Sequence, residues 1–121
     1  VLLPGAWYGI GETHLPPVDD MRSAGVRIAV ATDANPGSSP ILSLLAAANM
    51  ACTLFGLTVE ESFDGITTHA ARALGLESEI GSIRVGAAAD LAVWNVDGPA
   101  ELLNWIGHRP LHARMSDGRW R

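Results

Sequence analysis

The stretch Val26-Arg27-Ile28-Ala29-Val30-Ala31-Thr32-Asp33-Ala34-Asn35-Pro36-Gly37-Ser38-Ser39-Pro40 decides the fold. Its first seven residues are almost wholly apolar and rich in β-branched side chains. That pattern suits a strand buried on both faces, as in a parallel sheet. Asp33 stands at the C-terminal end of the strand, where α/β enzymes keep their working groups. The loop behind it supplies an amide, a glycine backbone and two hydroxyls, and a helix N-terminus after it suits an anionic substrate group. From these residues alone two readings stand side by side. Either the Asp33 carboxylate does chemistry, or it caps the loop and Asn35-Pro36-Gly37 is a plain turn, a common duty of Asp and Asn.

Working outward, Val1 to Leu3 is a short apolar run stopped by Pro4-Gly5, as expected of a second buried strand. Gly5 to Pro17 carries Gly, Pro and aromatics and is expected to be irregular. Pro16-Pro17 opens a short helix over Val18 to Ala24, with Asp19 and Asp20 at its positive end and Gly25 at its stop. Downstream, a hydroxyl at Ser39 followed by Pro40 predicts a helix start, and the helix runs apolar nearly all round to Phe55 before Gly56. Thr58 and Glu61 form the T-x-x-E spacing of a capping box. Asp64-Gly65 interrupts that helix, and Thr67 or Thr68 caps another that ends at Leu74-Gly75. Gly81 to Gly86 and Ala89 to Trp94 then have the texture of short strands. Glu101 to Ile106 suits a short helix, and Leu111 to Arg121 a hairpin around Asp117-Gly118. The layout is βα-βα-αα followed by a small β region, with a boundary near residue 80.

Composition narrows the class. The chain has 121 residues, 48% hydrophobic and 17% charged, which excludes disorder and a coiled coil. Thirteen acids against eight arginines, with no lysine, leave a net charge of −5 and argue against a nucleic-acid or anionic-membrane partner. The longest apolar run, around Ile41 to Phe55, is too short to span a membrane. One cysteine, Cys52, excludes an internal disulfide and a multi-thiolate zinc site. The opening Val1-Leu2-Leu3 has the look of mid-strand, so the chain is expected to be part of a longer one.

Other polar residues have blander readings. His14 lies in an irregular loop, near the mouth of the expected barrel, and is weighed as a substrate contact. His69 suits a cap or packing role. His108 and His112 are four apart, but Pro110 between them breaks the helix that a shared metal would need. Cys52 and Met50 are most simply core residues. Trp7 and Tyr8 either line the mouth of a site or cover it. Glu60 and Glu61 suit a helix start, and Arg72 and Arg84 solvent or an acidic partner.

Taken together, ATDANPGSSP (31–40), LLPGAWYG (2–9), NMACTLFGLTVEE (49–61), AARALGL (70–76) and GSIRVGAAADLAVW (81–94) resemble the C-terminal part of the imidazolonepropionase family, within the metal-dependent amidohydrolase superfamily. The resemblance runs from Val1 to about Arg114. It implies an α/β fold: the last two βα units of a (β/α)8 TIM-type barrel (residues 1–80), then strands of a small composite β-sandwich (81–121). It implies that Asp33 is both a ligand of a catalytic Zn or Fe ion and the catalytic proton carrier. By the same resemblance Asn35 and Gly37 contact the product N-formimidoyl-L-glutamate, and Ser38 contacts the substrate, 4-imidazolone-5-propanoate. A cytoplasmic enzyme of histidine degradation with a small-molecule substrate follows.

The chain departs from that pattern in one respect. The family's metal site also needs a His-x-His pair and a mid-barrel histidine, and this sequence has no His-x-His. A (β/α)8 barrel takes roughly 250 residues. One carboxylate does not hold a catalytic zinc, which takes about three protein ligands. By itself the chain is therefore expected to be inactive and to need the missing N-terminal part or a homo-oligomer. The alternatives are a heterocycle deaminase of the same superfamily, or a truncated non-catalytic module whose open strand edges drive self-association.

Overall fold

The computed structural model describes all 121 residues, Val1–Arg121. Ile28, Ala29 and Val30 are buried in sequence, as a strand covered on both faces requires. Leu2 lies beside them in parallel register. Its N–H donates to the Ala29 carbonyl (2.7 Å), and its carbonyl accepts from the Ala31 N–H (3.1 Å). On the other side Val30 N–H donates to Gly65 O at 2.9 Å. A Cβ on Gly65 would lie 3.0 Å from Val30 Cγ2 and 3.2 Å from Ile28 O, a tight fit that favours glycine at this approach. The two expected strands, Val1–Leu3 and Val26–Thr32, are thus reduced to one parallel bridge. Only one rung of a parallel ladder, Leu2 beside Val30, forms in this chain.

Parallel pairing demands a crossover, and the crossover carries two short helices. The first, α1 (Pro4–Gly9), corrects the expectation of an irregular Gly5–Pro17 segment. Pro4 sits in the first turn, where its missing N–H costs nothing, so the Pro-Gly pair starts a helix here. The second, α2 (Val18–Ser23), falls where expected, with Gly25 at φ +67° beyond its end.

Helix α3 (Leu44–Phe55) starts four residues later than Ser39-Pro40 suggests. Its cap is Ser43, whose hydroxyl accepts from Ala46 N–H. Gly56, in the left-handed region, ends it. Ala47, Ala48, Met50, Ala51 and Phe55 are buried. Ala47, Ala51 and Phe55 pack with Leu2, Val18, Ile28, Val30 and Leu57 into one core, and Trp7 meets Phe55 edge-on at 5.7 Å. Each large apolar side chain buried there contributes roughly 1.5–3 kcal/mol.

Thr58 and Glu61 form the expected capping box of α4 (Val59–Gly65). Helix α5 (Thr68–Ala73) follows, with Thr67 as N-cap residue but no side-chain cap; the Thr67 hydroxyl donates to Phe63 O instead. The expected strand at Gly81–Gly86 does not form: Ile83 and Val85 stand out almost fully exposed, with no strand beside them in this chain. Strand β1 (Leu91–Trp94) pairs antiparallel with β2 (Leu111–Ser116), and β2 with β3 (Arg119–Trp120). Asp117 and Gly118, both at positive φ, make the two-residue hairpin turn. Helix α6 (Pro99–Asn104) packs Leu102 and Leu103 inward. The buried Asn49 amide donates to Leu103 O at 2.7 Å and ties α3 to α6. No helix is long and apolar enough to cross a membrane.

Arg22 links α2 to α4. Its Nε and Nη2 donate to the two Glu61 carboxylate oxygens (2.6 and 2.9 Å), and Nη1 donates to Asp19. Glu61 also accepts the Thr58 N–H of its capping box. The guanidinium first, and that backbone N–H second, hold the Glu61 carboxyl down at about 2. A carboxyl lowered in the folded state contributes stability above its unfolded value and loses it as pH falls towards the folded one. Stability to urea is therefore expected to drop between about pH 5 and pH 2, with Glu61 supplying about 1 kcal/mol because the pair is partly exposed. Glu61→Gln should reduce that slope, and an unchanged slope would remove the pair from the account. Thr58→Ala should cost about 1 kcal/mol at neutral pH.

Candidate functional site

Asp33 lies at the exposed end of the segment that Leu2 pairs with, and its φ of +49° is in the left-handed region. Aspartate is among the few non-glycine residues that adopt this conformation readily, as Asp117 also does. Both peptide groups flanking Asp33 are held. The Ser39 hydroxyl donates to Thr32 O at 2.5 Å, and Asn35 Nδ2 donates to Asp33 O at 2.6 Å. The Asp33 carboxylate itself accepts a single long contact from Asn35 Nδ2, at 3.4 Å.

Asn35 organises the rest of the loop. Its Oδ1 accepts from the Gly37 and Ser38 N–H groups, both at 2.9 Å, and its Nδ2 also donates to Ser38 Oγ at 3.0 Å. Asn35 N–H reaches Ser39 O and closes the turn. The structure thus brings Asp33, Asn35, Gly37 and Ser38 into one hydrogen-bonded unit.

Ser39 is not the helix cap that its neighbour Pro40 suggests. It is 2% exposed, and its hydroxyl is spent on Thr32. The start of α3 accordingly lies beyond the loop, and the expectation of a helix N-terminus directly behind Ser38 fails. The Ser38 hydroxyl faces both ends of the Asn35 amide, accepting from Nδ2 at 3.0 Å and lying 3.3 Å from Oδ1 as a donor.

The reason Ser39 is buried lies in α1. Gly5 and Gly9 are four apart and share one face of that helix. A Cβ on Gly5 would overlap Ser39 Oγ and come within 2.9 Å of Ile41 Cγ1. A Cβ on Gly9 would overlap the Ser38 carbonyl oxygen. The loop therefore rests on a bare strip of helix. The G-x-x-x-G spacing in Gly5-Ala6-Trp7-Tyr8-Gly9 was the available signal, masked by the expectation of irregular chain.

Residues 3–103 match the family described as Amidohydrolase family. The chain belongs to the amidohydrolase family. The imidazolonepropionase of Maricaulis maris is 65% identical over 120 residues, 99% of this chain and 30% of its own length. That of Sphingopyxis alaskensis is 60% identical over 98% of this chain and 30% of its own. This amidohydrolase chain thus spans about 30% of the length of the relatives it matches. Among solved structures, an adenosine deaminase from Xanthomonas campestris with bound zinc superposes with a TM-score of 0.85 at 22% identity, over 98% of this chain and 30% of that one. The guanine deaminase of E. coli gives 0.81 at 21% identity, over 99% and 33%. At that identity the likeness is one of fold.

The amidohydrolase chain brings no three His, Cys, Asp or Glu side chains together. Asp33 fits as one metal ligand, with its carboxylate exposed and nearly unengaged, and the remaining ligands are not among these residues. His14 is exposed and its Nδ1 lies 3.1 Å from Glu12 Oε1. Glu12 also accepts the His14 and Thr13 backbone N–H groups, which, with the His14 ring, hold it below the usual carboxylate range. His69 is half-buried with Nδ1 3.2 Å from Ile28 O, a packing role. His108 and His112 are exposed in the β region. Trp7 packs on Phe55 and donates to His14 O, so it braces the loop from below, while Tyr8 is exposed.

Three serines in six residues are expected to separate cleanly in thermal and urea unfolding. Ser39→Ala leaves the Thr32 carbonyl unpaired and should cost about 1–3 kcal/mol. Ser43→Ala removes the cap of α3 and should cost about 1 kcal/mol. Ser38→Ala should leave stability nearly unchanged. Equal losses at Ser38 and Ser39 would contradict the loop geometry.

Proposed function

We propose that this chain is the C-terminal portion of an imidazolonepropionase, which opens the ring amide of 4-imidazolone-5-propanoate to give N-formimidoyl-L-glutamate. The carrying observation is the 65% identity to an enzyme of that name across 99% of the chain. The loop that presents Asp33 supports it. In this reading residues 1–80 are the last two βα units of a (β/α)8 barrel, with Leu2 and Val30 on neighbouring strands, and residues 81–121 belong to a small β-sandwich. The rest of the polypeptide, in a cytoplasmic homo-oligomer, completes both.

Asp33 would hold a Zn or Fe ion together with histidines from outside these residues. Such an ion, when bound, lowers the pKa of a water and so supplies a nucleophile near neutral pH. Asp33 takes the proton of the attacking water and delivers it to the ring nitrogen as the C–N bond breaks. Asn35, Gly37 and Ser38 line the place where the substrate lies. The Ser38 hydroxyl supplies a donor to the propanoate.

The test is a chimera in which residues 1–121 replace the matching segment of the Maricaulis maris enzyme. It should hydrolyse imidazolone propanoate, and Asp33→Asn should remove nearly all kcat with the fold intact. Retention of more than about a tenth of kcat would make Asp33 a loop residue only, since a general base contributes 10²–10⁴-fold. Deamination of adenosine or guanine by the chimera, without ring opening, would favour the deaminase reading that the fold likeness suggests. Separately, the 121-residue chain on its own should bind no stoichiometric Zn or Fe. Metal analysis finding one tightly held ion per chain would overturn the view that the ligand set is shared with the rest of the polypeptide.

A further inference from the structure

We propose that the cavity between the start of the Val26–Thr32 segment and α5 binds the phosphate group of a small soluble molecule, a phosphate monoester or the free ion. Five residues line it: Gly25, Arg27, His69, Arg72 and Ala73. Three of them are basic and none is acidic. The cavity lies at the opposite end of the segment from Asp33, roughly 20 Å of extended chain away. None of its residues belongs to the Asp33 loop, so the site goes beyond the ring-opening reading and does not depend on it.

Local structure brings the three basic side chains together. Gly25, at φ +67°, turns the chain out of α2, and Arg27 follows just before the buried Ile28. Arg72 stands three residues after His69 in α5, so the two share a helix face. His69 is fixed against the segment by Nδ1, 3.2 Å from Ile28 O. A carbonyl only accepts, so Nδ1 carries the proton in that contact and Nε2 is left for a ligand. Nε2 can accept from a P–OH group or, when the ring is protonated, donate to a phosphate oxygen.

The cations select the ligand. Arg22 is taken up by Glu61 and Asp19. Arg27 and Arg72 form no hydrogen bond and no ion pair in this chain. A guanidinium presents a planar fork of N–H donors that matches two oxygens of a phosphate or a carboxylate. Two forks and an imidazole offer more than the two oxygens of a carboxylate can use, and a phosphate has at least three. The chain carries a net charge of −5, so its overall field repels anions and attraction here has to come from this cluster. The same charge disfavours an anionic lipid surface as the source of the phosphate. At about 370 Å³ the cavity has the size of a small-molecule site and leaves room for an organic group beside the phosphate.

Isothermal calorimetry on the metal-free chimera, titrated with inorganic phosphate and with glycerol 3-phosphate, tests the site. Each probe should bind saturably, and acetate more weakly. Arg27→Gln and Arg72→Gln should each weaken phosphate binding about tenfold, the loss expected for one charge-assisted contact. The double variant should lose saturable binding altogether. Arg27→Lys and Arg72→Lys keep the charge without the fork and should recover only part of the loss. Thermal midpoints should match that of the unsubstituted chimera, because neither guanidinium has a partner to lose. Asp33→Asn should bind phosphate unchanged. Phosphate binding that survives the double glutamine variant, or that disappears in Asp33→Asn alone, would place the anion elsewhere and overturn the proposal. No saturable heat with either probe at millimolar concentration, or equal affinity for acetate, would overturn it too. Association with vesicles containing phosphatidic acid, but with neither soluble probe, would overturn the assignment of a small soluble ligand.

Discussion

Leu2 is bonded through its main chain to both Ala29 and Ala31, and much of the molecule is arranged around that single parallel rung. Parallel neighbours cannot be joined by a tight turn, so the chain between them has to cross over, and α1 and α2 occupy the crossover. The rung also sets where α1 goes. Leaving Leu2, the helix passes across the far end of the Val26–Thr32 segment, where the loop after Asp33 emerges. Gly5 and Gly9 then allow loop and helix to meet backbone to backbone.

Polar groups join the remaining layers. Arg22 spans from α2 to the capping box of α4, and Asn49 spans from α3 to the last turn of α6. The Ser62 hydroxyl, fully buried, donates to Ala48 O and fixes α4 on α3. The Asn49 and Ser62 bonds satisfy groups that would be costly to bury alone. They also explain why the short helices α4 and α6, too brief to be stable by themselves, hold their places.

The candidate site is a single loop held against one helix. Asp33 is aimed by its neighbours yet almost free of partners of its own, the arrangement expected of a group whose ligand or reactant comes from elsewhere. Ile83 and Val85 stand exposed, and the parallel pairing is limited to the single Leu2–Val30 rung.

The family and the capping box of α4 were legible in the residues themselves. A T-x-x-E spacing and the Asp117-Gly118 turn are local signals, and local chemistry enforces them. Where the reading failed, a tertiary contact had outvoted a local preference. Ser39-Pro40 carries every mark of a helix start, but Ser39 sits against Gly5 and spends its hydroxyl on Thr32, so the helix waits for Ser43. Pro4-Gly5 resembles a loop, but the paired Leu2 and the packed Trp7 make it the first turn of a helix. Gly81 to Gly86 has the texture of a strand, but a strand needs a neighbour to bond to, and this chain has none to give it. The sequence determined which groups stand at the site. The close packing of α1 on the loop decided how they are held, because only in three dimensions do Gly5 and Gly9 meet residues thirty positions away.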